Sequence, residues 1–159
     1  MNKTTEGESA YNCALRLGTP ALRWPHGGRP HHPRTARRGR PRPLFQGAAP
    51  KVILAGLPTA QLHRLLDTHS AEVAAAGLPT DWPGFRRYYA QIRKHGFYFS
   101  SGELEPNLAA MAVPLHQSDG TVLGALSLVT TVQRMAVIDR SKLTPLIQRT
   151  AREISARLQ

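Results

Sequence analysis

One cysteine, Cys13, is all the chain contains, so no intramolecular disulfide can form and a reducing compartment suits it. No apolar run approaches the ~18 residues that would cross a bilayer, and no membrane partner is expected. The opening MNKTTEGESAYN lacks the charged-then-apolar order of a signal peptide, so a cytoplasmic location is expected. No two of the seven histidines have the spacing that sets paired imidazoles on one helix face. No P-loop, dinucleotide fingerprint or nucleophile elbow is present. A metal, a cofactor and an enzymatic activity are therefore not expected.

Acidic residues are also few: 10 Asp and Glu face 21 Lys and Arg, a formal net charge of +11. The excess is uneven. Residues 1–50 hold nine basic residues, eight of them Arg, against two acids. Seven prolines fall in the same fifty residues, and neither a helical nor a strand period runs through them. Residues 1–46 therefore read as a disordered basic segment with too little apolar material to offset the entropy of ordering it. Three readings remain open for it: an arm touching nucleic acid through Arg34, Arg37, Arg38, Arg40 and Arg42, an inert tail, or text from a shifted reading frame. In the last case the whole chain would be a non-functional gene fragment. His31-His32 could also collect metal as a tail tract.

From Lys51 onward the pattern becomes ordinary. Val52 to Ala55 reads as part of a buried helix. Thr59 is a candidate N-cap for a helix with Leu62, Leu65 and Leu66 on one face. His63 and Asp67, four apart there, make a surface pair at most. Residues 68–80 read as a loop with a short Ala-rich helical piece. Asp81 is a candidate N-cap, with Pro83 in the first turn and Phe85, Tyr88, Tyr89 and Ile92 at helical spacing. Basic residues 93–95 suit the last turn and Gly96 stops the helix. Residues 130–138 read as a connector. A last helix is expected from about Asp139 to Leu158, with Leu143, Leu146, Ile147, Thr150, Ile154 and Leu158 as its stripe and Pro145 delaying or kinking its start.

The centre of the chain is Gly96 to Val129, GFYFSSGELEPNLAAMAVPLHQSDGTVLGALSLV. It reads as strand, polar loop, strand, turn, strand, with Asp119-Gly120 at the tip of the hairpin. Helices on either side of these three strands give an α+β layer architecture. The strands carry Ala109, Ala110, Ala112, Gly124, Ala125 and Ser127, and small residues leave volume for a ligand beside the Ser100-Ser101-Gly102 turn. Equally, small residues permit helices to pack closely on a sheet.

This stretch resembles the signature of the IclR-type transcriptional regulators, in their effector-binding domain. The matching positions are Gly96, Ser100, Glu103, Ala110, Met111, Ala112, Leu115 and His116; Gln117 stands where the signature has Asp or Asn. The resemblance extends from about Gly47 to Gln159, with Lys51 at the position of a common family lysine. It implies a GAF-like antiparallel sheet covered by helices, here incomplete and behind the disordered segment, with domain limits 1–46 and 47–159. It further implies a small organic acid or aromatic effector held by positions matching Ala48, Ala49, Ser100, Leu108, Ala110, Ser127 and Val129. Only Ser100 and Ser127 of these carry hydroxyls, which points to a less polar ligand or to lost binding. DNA contact would come only through a winged helix-turn-helix domain, for which no pattern precedes residue 47, and intact relatives would be homodimers or homotetramers. The chain reads accordingly as a truncated regulator.

Glu103 and Glu105 could serve as paired carboxylates. The plainer expectation is a loop in which Glu103 accepts from backbone N–H groups and holds the turn.

Overall fold

The computed structural model describes residues 43–157 and the backbone of residues 9–13. Four antiparallel strands form one sheet in the order β1-β4-β3-β2. They are β1 (Ser9–Cys13), β2 (Tyr98–Ser101), β3 (Leu108–His116) and β4 (Val122–Thr131). Helices α1 (Ala48–Ala55), α2 (Thr59–Thr68), α3 (Ser70–Ala75) and α4 (Trp82–His95) precede β2, and α5 (Val132–Val137) and α6 (Arg140–Arg157) follow β4. The α+β architecture and the central strand–loop–strand–turn–strand order are as the sequence indicates.

Alternation along the strands decides which side each residue faces. On one face Ala112 and Ala125 are fully buried against α1, α2 and α4, with Tyr98 and Ala110 packed beside them. On the other, Met111, Val113, Leu115 and Leu126 pack with Ile147 and Ala151 of α6. The sheet is thus sandwiched between α6 and the α1–α4 layer.

Helix α1 is the central element of that layer. All its residues but Pro50 are buried, including Lys51. A helix apolar nearly all round can sit only between other layers, and α1 lies against β2, β3, β4 and α4. Beyond its C-terminal end, Arg93 of α4 donates from Nε to the Ala55 carbonyl at 2.6 Å and from its guanidinium to the Leu57 carbonyl at 3.3 Å. The basic last turn of α4 therefore serves a neighbouring helix as well as its own dipole.

Local signals set the other boundaries. Asp81 Oδ1 accepts from the Gly84 N–H at 2.8 Å, and Gly96 ends α4 at φ +70°. The β3–β4 turn closes with Gln117 N–H on the Thr121 carbonyl at 2.8 Å and Gly120 at φ +83°.

Four features depart from the sequence reading. Residues 9–13 form a strand, paired with β4 from Ser9↔Val129 to Cys13↔Ala125, where no element was expected. Packing begins before Gly47: Phe45 is 1% exposed and lies edge-on to Phe85 at 6.2 Å. The connector after Val129 is the end of β4 followed by α5, capped by Thr131. Helix α6 is not delayed by Pro145, which lies inside it. Asp139 Oδ1 accepts from the Ser141 N–H at 3.0 Å and opens the helix upstream. The α6 stripe is Leu143, Ile147, Ala151 and Ile154, while Leu146 is half exposed.

Candidate functional site

The seven residues expected to hold an effector share one side of the sheet or the helix lying on it. Ser100, Ala110 and Val129 occupy one row across β2, β3 and β4, since Ser100 pairs Ala110 and Ala110 pairs Val129. Ser127 lies in the next row of the same face, opposite Ala112. Leu108 sits one row beyond Ala110, opposite Thr131. Ala48 and Ala49 form the first turn of α1, over the same face, and are buried. Leu108, Ala110 and Val129 are half-buried, whereas Ser100 and Ser127 are buried. The row therefore combines half-buried apolar side chains with two buried hydroxyls.

Not every small strand residue contributes. Ala112 and Ala125, at 0% exposure, are filled into the α1–α4 core, so close packing explains them. Ala109 pairs Thr130 and Gly124 pairs Leu115, which puts both on the α6 side. Met111 and Leu126, bulky enough to plug the space near Ser100, also face α6.

Beside this row lies a polar network centred on Lys51. Its ammonium is 2.8 Å from Glu103 Oε2 and donates to the Tyr98 hydroxyl at 3.1 Å. Tyr98 in turn donates to Glu103 Oε1 at 2.8 Å and accepts from the Tyr88 hydroxyl at 3.1 Å. Glu103 Oε2 also accepts from the Gly47 N–H at 2.9 Å. The Lys51 ammonium lies 4.7 Å from the Tyr98 ring centroid, a cation–π approach that adds to the pairing. Lys51 is 4% and Glu103 24% exposed at the side chain, so the pair is screened little by water. Glu103 thus holds a backbone N–H, as the plainer reading expects, but one 56 residues away, and it ties the β2–β3 loop to the start of α1.

Burial acts to raise the Glu103 carboxyl pKa. The hydrogen bonds from Lys51, Gly47 and Tyr98 and the Lys51 charge outweigh it, and the group sits below the usual glutamate range. Tyr98 is pushed up, first by burial and then by its bonds to Tyr88 and Glu103. Tyr89 is pushed up by burial, by Tyr88 and by the Glu103 charge. A depressed folded pKa contributes stability that is complete above the unfolded value, near 4.5, and lost as pH falls through the folded one. Acid unfolding monitored by circular dichroism should show stability declining below about pH 4.5, with a shallower decline in Lys51→Met.

Sequence reading missed most of this network. Tyr98 registers as a strand former and Tyr88 as one position on a helix face. The available signal was their type: a tyrosine at an inward position brings a hydroxyl that needs a partner. Among the described residues, no group of three His, Cys, Asp or Glu side chains could hold a metal ion. His63 and Asp67 form the exposed pair expected of them, at 3.1 Å. Arg34, Arg37, Arg38, Arg40 and Arg42 lie outside the described residues. No described helix is long and apolar enough to cross a membrane.

Residues 31–156 match the family described as "Bacterial transcriptional regulator IclR C-terminal". The chain belongs to the IclR family. Within this family, its relatives include the HTH-type transcriptional regulator XynR of Escherichia coli K12, 30% identical over 100 residues that cover 63% of this chain and 40% of XynR. Another is the Pca operon regulatory protein of Acinetobacter baylyi ADP1, 29% identical over 115 residues, 70% of this chain and 41% of that protein. The IclR-family chain thus spans about two fifths of the length of these curated relatives. Among solved structures, the transcriptional regulator YaiJ superposes with a TM-score of 0.76 at 23% identity, covering 96% of this chain and 86% of that one. The inducer-binding domain of PobR from Acinetobacter, a double mutant in complex with 3-hydroxybenzoic acid, superposes at 0.71 with 20% identity, covering 95% and 89%. At these identities the two structures speak for the fold.

Proposed function

We propose that this IclR-family domain binds a small organic or aromatic acid between the first turn of α1 and the Ser100–Ala110–Val129 row. The observation that carries this reading is the row itself: half-buried apolar side chains beside the buried hydroxyls of Ser100 and Ser127. An apolar floor with a few polar groups is what a small planar acid requires. The 3-hydroxybenzoic acid complex of a structurally similar inducer-binding domain supports the ligand class. In a whole regulator of this family, ligand occupancy would act by biasing the geometry of a dimer or tetramer, a population shift that the DNA-contacting portion reads out. That is binding, not catalysis, and no reaction is assigned to the site.

Calorimetric titration with benzoate, hydroxybenzoates and short-chain carboxylates checks this. Wild-type chain should release or absorb heat with at least one of them, and Ala110→Phe should abolish the signal while leaving the circular dichroism spectrum unchanged. Heat that persists undiminished in Ala110→Phe would place the ligand elsewhere.

A further inference from the structure

The carboxylate of Glu103 is held by three donors from two separate parts of the chain, the start of α1 and strand β2. Lys51 Nζ and the Gly47 N–H converge on Oε2 at 2.8 and 2.9 Å, and the Tyr98 hydroxyl takes Oε1 at 2.8 Å. Both oxygens are thereby bound in a charge-assisted, bidentate arrangement. The donors are fixed by the body of the domain. Lys51 stands in the buried helix α1, and Tyr98 is on β2, itself tethered by Tyr88 of α4. The carboxylate, by contrast, arrives on an outlying loop. Its neighbours Gly102, Leu104, Pro106 and Asn107 are exposed, and the loop leaves β2 through Gly102 at φ +70°. Ser100 and Leu108, at the two ends of this excursion, are themselves among the candidate ligand contacts. The Tyr89 hydroxyl is buried with no partner among the described residues.

We propose that Lys51, Tyr98 and the Gly47 N–H form a receptor for a carboxylate, which Glu103 occupies in cis until a ligand carboxylate displaces it. This deepens the effector reading and rests on it: the ligand ring lies on the Ala110 row, and its carboxylate takes the place of the Glu103 side chain. Leu104 moves with the loop. Its Cδ1 comes within 2.7 Å of where a Gly47 Cβ would stand, so its departure uncovers the start of α1. Exchange of one carboxylate for another conserves the charge balance around the buried ammonium, which would otherwise oppose opening the loop. Ligand binding thereby becomes a movement of residues 102–107.

Chemical rescue in the full-length chain tests this. Glu103→Ala empties the receptor and Glu103→Gln keeps its shape without the charge. Melting curves are recorded with sodium benzoate, sodium acetate, benzamide, and sodium chloride at matched ionic strength. A ligand that binds only the folded state raises the melting temperature by mass action. Both carboxylates should raise it in Glu103→Ala more than in wild type, with benzoate affinity at least tenfold higher in the variant. Benzamide and chloride should not, and Lys51→Met should remove the rescue. If Glu103→Ala proves too unstable to melt, benzoate titration of Glu103→Gln gives the same comparison, with tighter binding than wild type expected. Equal benzoate affinity in wild type and the Glu103 variants would overturn the receptor. If that affinity still vanishes in Ala110→Phe, the effector site stands without it. Benzoate rescue undiminished by Ala110→Phe would leave the receptor standing and remove the effector site.

Discussion

Glu103→Ala should destabilise the domain by about 3 kcal/mol or more, among the largest costs of any single side chain outside the apolar core. The reason is what remains behind. Lys51 is 4% exposed, and without Glu103 its ammonium keeps the Tyr98 hydroxyl and the cation–π contact but no counter-charge. The Gly47 N–H at the start of α1 also loses its acceptor. Lys51→Met should cost less. It leaves the carboxylate on the more accessible partner, still bonded to the Gly47 N–H and the Tyr98 hydroxyl. Methionine can also follow the apolar stem of lysine through the same packing. The double variant should cost clearly less than the sum of the two singles, because the second change removes the charge that the first strands. Denaturant unfolding of the four proteins checks the order. Equal costs for both singles, each under 1 kcal/mol, would mean the pair behaves like an exposed one.

The second large effect is expected at Phe45→Ala, at about 3–5 kcal/mol. Phe45 is 1% exposed and sits edge-on to Phe85 at 6.2 Å, which in turn meets Tyr89 at 4.9 Å. Truncating it opens a void beneath α1 and α4 that rigid helices cannot collapse to fill. The same residue separates two accounts of the first third of the chain. If everything before Gly47 were dispensable, removing residues 1–46 would leave stability unchanged. The packing of Phe45 instead requires that removing residues 1–44 be tolerated far better than removing residues 1–46. Thermal melts of the two deletions measure the difference directly.

The contrast around Phe45 shows what the residues disclose and what they hide. Helix α4 was legible because its signals are local: Asp81 to cap, basic residues and Gly96 to stop, and four aromatic or aliphatic side chains at helical spacing. The hairpin was legible for the same reason, with Asp119-Gly120 between two apolar runs. Phe45 follows a segment dense in Pro and Arg, so composition masked a single core residue whose partner lies 40 positions on. Strand β1 was invisible because Ser9–Cys13 has little strand propensity of its own and depends on pairing with β4. Among the site residues, the one-face placement of Ser100, Ala110, Ser127 and Val129 followed from strand period once the register is known. Which alanines are fully buried and which stay half-buried did not follow, since Ala110 and Ala112 look alike in sequence. The Lys51–Glu103–Tyr98 network joins residues 47 and 52 positions apart, and no local pattern carries such a pairing.

A small acid bound on the α1 side of the sheet would leave a residue-by-residue footprint. Amide spectra of isotopically labelled chain, titrated with 3-hydroxybenzoate, test it most directly. The expected result is a set of saturable shifts at Ala48, Ala49, Ser100, Ala110, Ser127 and Val129, with Val113, His116, Ile147 and Ala151 on the α6 side unmoved. Shifts gathered on the α6 side, or none with any carboxylate up to solubility, would contradict it.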